Sequence, residues 1–199
     1  NLSLLLLAGG RGERLGGQDK GLLTVDGKTF VERLLLCFAP KVSAVLISAN
    51  RYRDRYQQLA APWHAKVLQD DVQGFHGPLA GILTGLKNAR TDWVLVLPCD
   101  AQRLPDDLLD KMCEQQSQTR ASAVFAAVDG QDQPLACLLL RSLAEQLEKD
   151  FLAGERSVVR WLLSINAKRC AFSNENSACC WSVNTPEDLA RLIAQPVVN

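Results

Sequence analysis

Apolar and polar positions along this chain follow two periods. Short, almost unbroken apolar runs occur at "SLLLL" (3–7), "VSAVLISAN" (42–50), "AKVLQD" (65–70) and "WVLVLPCD" (93–100), the pattern of strands covered on both faces. Between them, "TFVERLLLCFAP" (29–40), "YRDRYQQLAA" (52–61) and "GPLAGILTGLKNAR" (77–90) carry apolar residues at helical spacing. The alternation predicts βαβ units and a mostly parallel sheet wound with helices on both faces, an α/β, Rossmann-like architecture. Beyond residue 104 a helix is expected from "LPDDLLDKM", with Pro105 at its start and Asp106 and Asp107 at the positive helix end. Two further strands, "SAVFAAVDG" and "PLACLLL", are joined by the turn material "DGQDQ" (129–133). Helices at 142–152 and 155–165, a strand at 169–173 and a closing helix from "NTPEDLARLIA", capped by Asn184 or Thr185 with Pro186 in its first turn, complete the pattern.

An open parallel sheet binds its ligands beyond the carboxyl ends of its strands. The residues expected there are the loop "LAGGRGERLGGQDKG" (7–21), Asn50, Asp70 and Asp100. Glycine lets a backbone come against a ligand, and amides together with Arg11, Arg14 and Lys20 make a surface for polyphosphate oxygens. Gly10, Gly12 and Gly16 are only a loose relative of the dinucleotide fingerprint, and the second strand ends in "SAN" rather than the acidic residue that would hold a ribose. A P-loop fails too, because Lys20 follows Asp19 and precedes Gly21 instead of closing a GK[ST] triplet.

The 199 residues, 47% of them apolar, suit one domain spanning 1–199. Lys plus Arg and Asp plus Glu number 22 each, so the chain has no overall field to draw it onto nucleic acid or an anionic membrane. No run approaches membrane-spanning length, and the leucine run lacks the basic segment of a secretory signal, although residues ahead of Asn1 are open to question. Seven cysteines without a CxxC pair fit neither a disulfide framework nor a zinc site and suit a reducing, cytoplasmic setting. His64 and His76 lack a base-and-orienter pair and read as structural or surface residues.

The stretch "LAGGRGERLGGQDKGLL" closely resembles the signature of the nucleotidyltransferases, and in particular of the molybdenum cofactor guanylyltransferases. "DGKTFVERL", "SAN", "LQDD", "GPLAGILTGL", "VLPCD" and "VNTPEDL" follow in the same order over nearly the whole chain. The resemblance implies transfer of GMP from GTP to molybdopterin carrying molybdenum, with pyrophosphate released. It implies that Leu7, Ala8, Gly9 and Gly10 meet the guanine and ribose, that Lys20 and Arg14 act on the phosphates, that Asn50 and Asp70 help hold the nucleotide, and that Asp100 binds magnesium, or manganese in its place. It further implies transient contacts with molybdenum insertion proteins and a GTP-binding adaptor, and the chain is expected to act as a monomer. Leu15 in place of Met, Gln133 before Pro134 and Ser182 ahead of "VNTP" depart from the signature, the last two being expected on the acceptor side. Arg156, in "GERS" (154–157), is a candidate for the acceptor's phosphate or an ordinary surface residue.

The acceptor implied is a phosphate monoester, already ionised near pH 7 with a second pKa of about 6, so no protein base is needed to deprotonate it. A divalent ion is needed because two anions must approach, and magnesium favours few carboxylates plus phosphate and water oxygens. Asp100 is the best candidate ligand, with capping of a downstream helix as the alternative, and the acidic pair Asp70 and Asp71 forms the other acidic point. Two other functions remain open at this point: a related transferase using CTP, and a nucleotide-binding regulatory protein without turnover. The presence of both Lys20 and Asp100 favours an enzyme.

Overall fold

The computed structural model describes residues 1–8, 19–69, 77–173 and 181–194. The apolar runs form strands β1 (Leu2–Leu7), β4 (Ala44–Ser48), β5 (Lys66–Leu68) and β6 (Trp93–Pro98), with a small hairpin of β2 (Thr24–Val25) and β3 (Lys28–Thr29) in between. They are followed by β7 (Ala123–Val128), β8 (Gln131–Leu140) and β9 (Lys168–Phe172). Seven strands make one sheet in the order β5-β4-β1-β6-β8-β7-β9, parallel except that β8 runs against both β6 and β7.

Alternation along β1 divides the core. Leu4 and Leu6 face helices α1 (Phe30–Phe38), α2 (Arg53–Ala60) and α4 (Leu108–Thr119). Leu5 and Leu7 face α3 (Pro78–Asn88), α5 (Leu143–Leu152) and α6 (Val158–Ser164). Side chains of successive strand residues point to opposite faces, so two-sided cover demands the continuous apolar runs seen in the sequence. The α3 helix lies unusually close to β1, because Gly85 presents no Cβ and any side chain there would overlap Leu5. The last helix, α7 (Pro186–Ala194), packs instead on a small separate cluster of Val25, Phe30, Val183 and Leu192.

Several sequence expectations shift when the chain folds. The α4 helix begins at Leu108, three residues after Pro105. Leu108 N–H donates to Pro105 C=O at 3.0 Å, which spends Pro105 and Asp106 on a turn, while Asp107 takes the cap position and pairs with Lys111 at 2.9 Å. The "DGQDQ" turn contracts to Asp129 and Gly130, both at positive φ (47° and 79°), the two-residue hairpin geometry that Asp-Gly favours. Gln131–Gln133 consequently join β8, and the β7–β8 register jumps between Phe125 and Ala126, opposite Pro134, which has no N–H for the ladder.

The order β5-β4-β1-β6 places a topological switch at β1, since the chain winds to one side through β4 and β5 and then returns to the other at β6. On that other side the β6–β8 ladder stops at Val96–Cys137, two residues short of the end of β6. The carboxyl ends of β1 and β6 are therefore where a sheet of this topology is expected to form its ligand crevice.

Candidate active site

Backbone bonds first align the strand ends that border the crevice. Ala8 N–H donates to Ser48 C=O at 2.8 Å, Cys99 N–H to Leu7 C=O at 3.0 Å, and Ala49 N–H to Leu68 C=O at 2.9 Å. The chain leaving β6 is then fastened to α1 by Gln102, a glutamine only 1% exposed. Its amide donates to Cys99 C=O (3.1 Å) and Phe30 C=O (3.3 Å), and its carbonyl accepts from Arg33 Nε (3.1 Å). A buried side-chain amide with both ends satisfied is a rigid peg, and it holds the segment that carries Asp100.

Lys20 arrives from a 3-10 turn, Lys20–Leu22, whose N-terminal cap is Asp19. Its ammonium donates to Asp100 Oδ2 at 2.8 Å and to Asn184 Oδ1 at 2.6 Å, uniting residues that stand 80 and 164 positions away from it. The Lys20 and Asp100 side chains are each 16% exposed, so this ion pair is screened less than one on the open surface. Ser182 Oγ donates to Asp100 Oδ2 (3.4 Å) and accepts from Asn184 Nδ2 (2.6 Å), while Val183 N–H donates to Asp100 C=O at 3.0 Å. Two distant stretches, at Lys20 and at 182–184, thus meet at the Asp100 segment.

Thr185 and Asp188 explain why Asn184 is available for this task. Asp188 N–H donates to Thr185 Oγ1 (3.1 Å), and the Asp188 carboxylate accepts from the backbone N–H of Thr185 (2.9 Å) and of Asn184 (3.0 Å). This is a reciprocal capping arrangement with Asp in the usual Glu position. The Asn184 N–H, with that of Thr185, holds the Asp188 carboxyl below the usual carboxylate range. Of the two cap candidates in the sequence, Thr185 caps α7, and the Asn184 side chain reaches Lys20 instead.

The structure brings Lys20 and Asp100 together and adds Asn184, which the motif reading treated only as a cap. Ser182, expected on the acceptor side, lies beside Asp100. Asp100 caps no helix. Asn50 lies exposed just after β4 at the same sheet end. Leu7 C=O and Ala8 N–H, two of the backbone groups expected near the nucleotide, extend the sheet. Arg14, Gly9, Gly10 and Asp70 lie outside the described residues, as do Arg11, Asp71 and His76. Arg156 donates through Nη1 to the carbonyls of Phe151 (2.6 Å) and Glu155 (2.7 Å) and stacks on the Phe151 ring, closing the end of α5. His64 is exposed in the turn before β5, in keeping with a surface role. Of the described cysteines, Cys99, Cys137 and Cys170 are buried, whereas Cys37 and Cys113 are exposed on α1 and α4.

A magnesium ion suits this donor set. Oδ2 of Asp100 serves Lys20 and Ser182, and Oδ1 receives no hydrogen bond among the described residues. One carboxylate oxygen left unbonded by its neighbours is what magnesium asks of a protein when phosphates and water complete its shell. Among the described residues no group of three or more His, Cys, Asp or Glu could hold a metal by protein ligands alone. No helix among them is long and apolar enough to cross a membrane.

A mostly parallel sheet with a switch point at β1 and helices on both faces is a fold this chain shares with solved nucleotidyltransferases. Solved structures with this fold include molybdopterin-guanine dinucleotide biosynthesis protein A from Archaeoglobus fulgidus (TM-score 0.74, 22% identity, 95% of each chain covered). Another is the inositol-1-phosphate CTP transferase from T. maritima (TM-score 0.74, 13% identity, 96% of this chain and 94% of that one). Within this class the chain belongs to the MobA-like NTP transferase domain family, whose model matches residues 4–168. Curated relatives agree over nearly the full length. The molybdenum cofactor guanylyltransferase of Yersinia pseudotuberculosis is 39% identical over 188 residues, 94% of this chain and 93% of the relative. That of Yersinia pestis strain Pestoides F is 38% identical over the same span.

Proposed function

We infer that this chain transfers GMP from GTP to the phosphate of molybdopterin carrying molybdenum, forming the guanine dinucleotide and releasing pyrophosphate. The observation that carries the reading is the convergence of Lys20, Asp100 and Asn184 at the switch point, in a chain 39% identical to a named guanylyltransferase. An oxygen of the acceptor phosphate forms a bond to the α-phosphorus of GTP while the bond from that phosphorus to the β-bridging oxygen breaks. The pair of electrons leaves with pyrophosphate. The acceptor oxygen is already anionic near pH 7, so the site needs no general base, and the absence of a histidine from the described cluster is no obstacle.

The work left to the protein is alignment and neutralisation of charge. Lys20 supplies a mobile point charge for the triphosphate. Its two partners, one charged and one neutral, hold the ammonium over the crevice. Asp100, through Oδ1, would hold magnesium, which when bound neutralises phosphate charge. Asn50, and residues 9, 10, 14 and 70 by their place in the motifs, complete our proposed nucleotide site. The segments behind them, Gln102 and the α7 cap, fix the two poles of the crevice.

The test is to supply each of the four NTPs with magnesium and molybdenum-loaded molybdopterin and to follow pyrophosphate and dinucleotide. GTP is expected to give the highest catalytic efficiency. A higher value with CTP would reassign the enzyme to cytidylyl transfer, and pyrophosphate release with no nucleotide selected would remove the assignment.

A further inference from the structure

Next to Lys20 lies a buried polar cluster. Asp19 is 5% exposed, and its Oδ1 accepts from Gly21 N–H at 3.0 Å and from the hydroxyl of Tyr56, which is fully buried on α2. The fit is close on the other side as well, since a Cβ at Gly21 would overlap the Tyr56 hydroxyl. Asp19 C=O accepts from Leu22 N–H at 3.1 Å, and Leu23 N–H donates to Lys20 C=O at 3.2 Å. Three backbone groups of the turn that presents Lys20, the N–H of Gly21, the N–H of Leu22 and the C=O of Lys20, are thus tied to Asp19 or to Leu23. Burial pushes the Asp19 carboxyl up, against the stabilising effect of the Tyr56 hydroxyl, the Gly21 N–H and the positive Arg51. Burial, together with neighbouring Cys99 and Asp19, pushes the Tyr56 phenol up, so it stays a donor.

A buried carboxylate is costly unless the hydrogen bonds it accepts are needed. We propose that Tyr56 and Asp19 are positioning residues for the transfer reaction: the hydroxyl on α2 fixes the Asp19 carboxylate, which fixes the Lys20–Leu22 turn and so aims the Lys20 ammonium at the triphosphate. Neither residue meets the substrate. The relay links α2, on one face of the sheet, to the lysine at the switch point, and it makes the place of that flexible side chain depend on a rigid helix. It rests on the guanylyl-transfer reading only where turnover is measured.

The test is a double-mutant cycle read by GTP–magnesium affinity, hydrogen exchange of residues 19–23, and turnover. Tyr56→Phe keeps the ring and removes the hydroxyl. It is expected to weaken GTP binding about tenfold in the native background and less than about twofold in a Lys20→Ala background, because the relay acts only through Lys20. Exchange in residues 19–23 should quicken. Asp19→Asn, which still offers an oxygen to both donors, should regain most of what Asp19→Ala loses. Equal losses in both Lys20 backgrounds, or none, would overturn the relay, as would an Asp19→Asn protein no better than Asp19→Ala. If Tyr56→Phe fails to fold, the two Asp19 variants decide. A wild-type protein that makes no dinucleotide removes the functional reading alone, since the exchange measurement still judges the relay.

Discussion

Two ion pairs in this molecule join a cation to an aspartate at almost the same distance, 2.8 Å for Lys20–Asp100 and 2.7 Å for Arg169–Asp132. Arg169, on β9, is 52% exposed and uses Nε and Nη2 to grip both oxygens of Asp132. Such a bidentate pair is closed, with both carboxylate oxygens consumed. Lys20 grips one oxygen of Asp100 and shares itself with the neutral Asn184, which leaves the other oxygen without a hydrogen bond among the described residues. The first pair is a finished surface contact. The second can trade partners, the lysine for a phosphate and the carboxylate for a metal, without leaving either charge stranded. Openness of coordination, more than separation, distinguishes a working pair from a structural one.

The sharpest way to break this comparison is Asp100→Ala, which should lower turnover by about 100- to 1000-fold, the usual loss when a main source of transition-state charge stabilisation is removed. Thermal denaturation should show a folded protein, and near-native turnover would make Asp100 no more functional than Asp132. Lys20→Ala comes next, with GTP–magnesium binding at least about tenfold weaker by calorimetry, since a charge-assisted contact of about 1.5 to 3 kcal/mol is lost. Unchanged affinity would return Lys20 to the status of a surface charge.

Asp188→Ala sharpens the role of the support. It should cost about 1 kcal/mol of stability by loss of the α7 cap. Because the folded Asp188 carboxyl lies below its ordinary value, that contribution is present above the unfolded pKa and fades as pH falls through the folded one. The difference in Tm between wild type and variant should therefore be full at pH 7 and shrink as pH falls below the ordinary carboxylate range. The smallest effect is expected for Asp132→Asn, with stability changed by at most about 0.5 kcal/mol and turnover unaltered, because an exposed pair gains little over hydration.

How far the sequence discloses this arrangement depends on the range of the interaction. The two-sided strands and the placement of Asp100 at a strand end are legible because each follows from a local period. The identity of the true α7 cap is less so. Asn184, Thr185 and Asp188 present two capping solutions of similar local quality, and only Lys20, 164 residues earlier, settles which one leaves Asn184 for the site. Asp19 looks like an ordinary member of a polar loop until α2 covers it with Tyr56. The delayed start of α4 has the same origin, since "PDD" satisfies a turn as readily as a first helical turn, and the choice belongs to packing against β7 and β9.

The placement of Asn184 also bears on how the protein is made. During synthesis the chain emerges from its amino end, so Lys20 and Asp100 can meet long before the residue that completes their grouping has been polymerised. At roughly 5–20 residues per second, the 164 positions between Lys20 and Asn184 correspond to about 8 to 30 seconds on the ribosome. For that interval the nascent chain can hold a sheet, a lysine and a carboxylate, yet lacks the strap that fastens them. Completion of the Lys20–Asp100–Asn184 grouping is thereby deferred until the segment around Asn184 has been made and α7 settles on the small cluster around Phe30 and Val183.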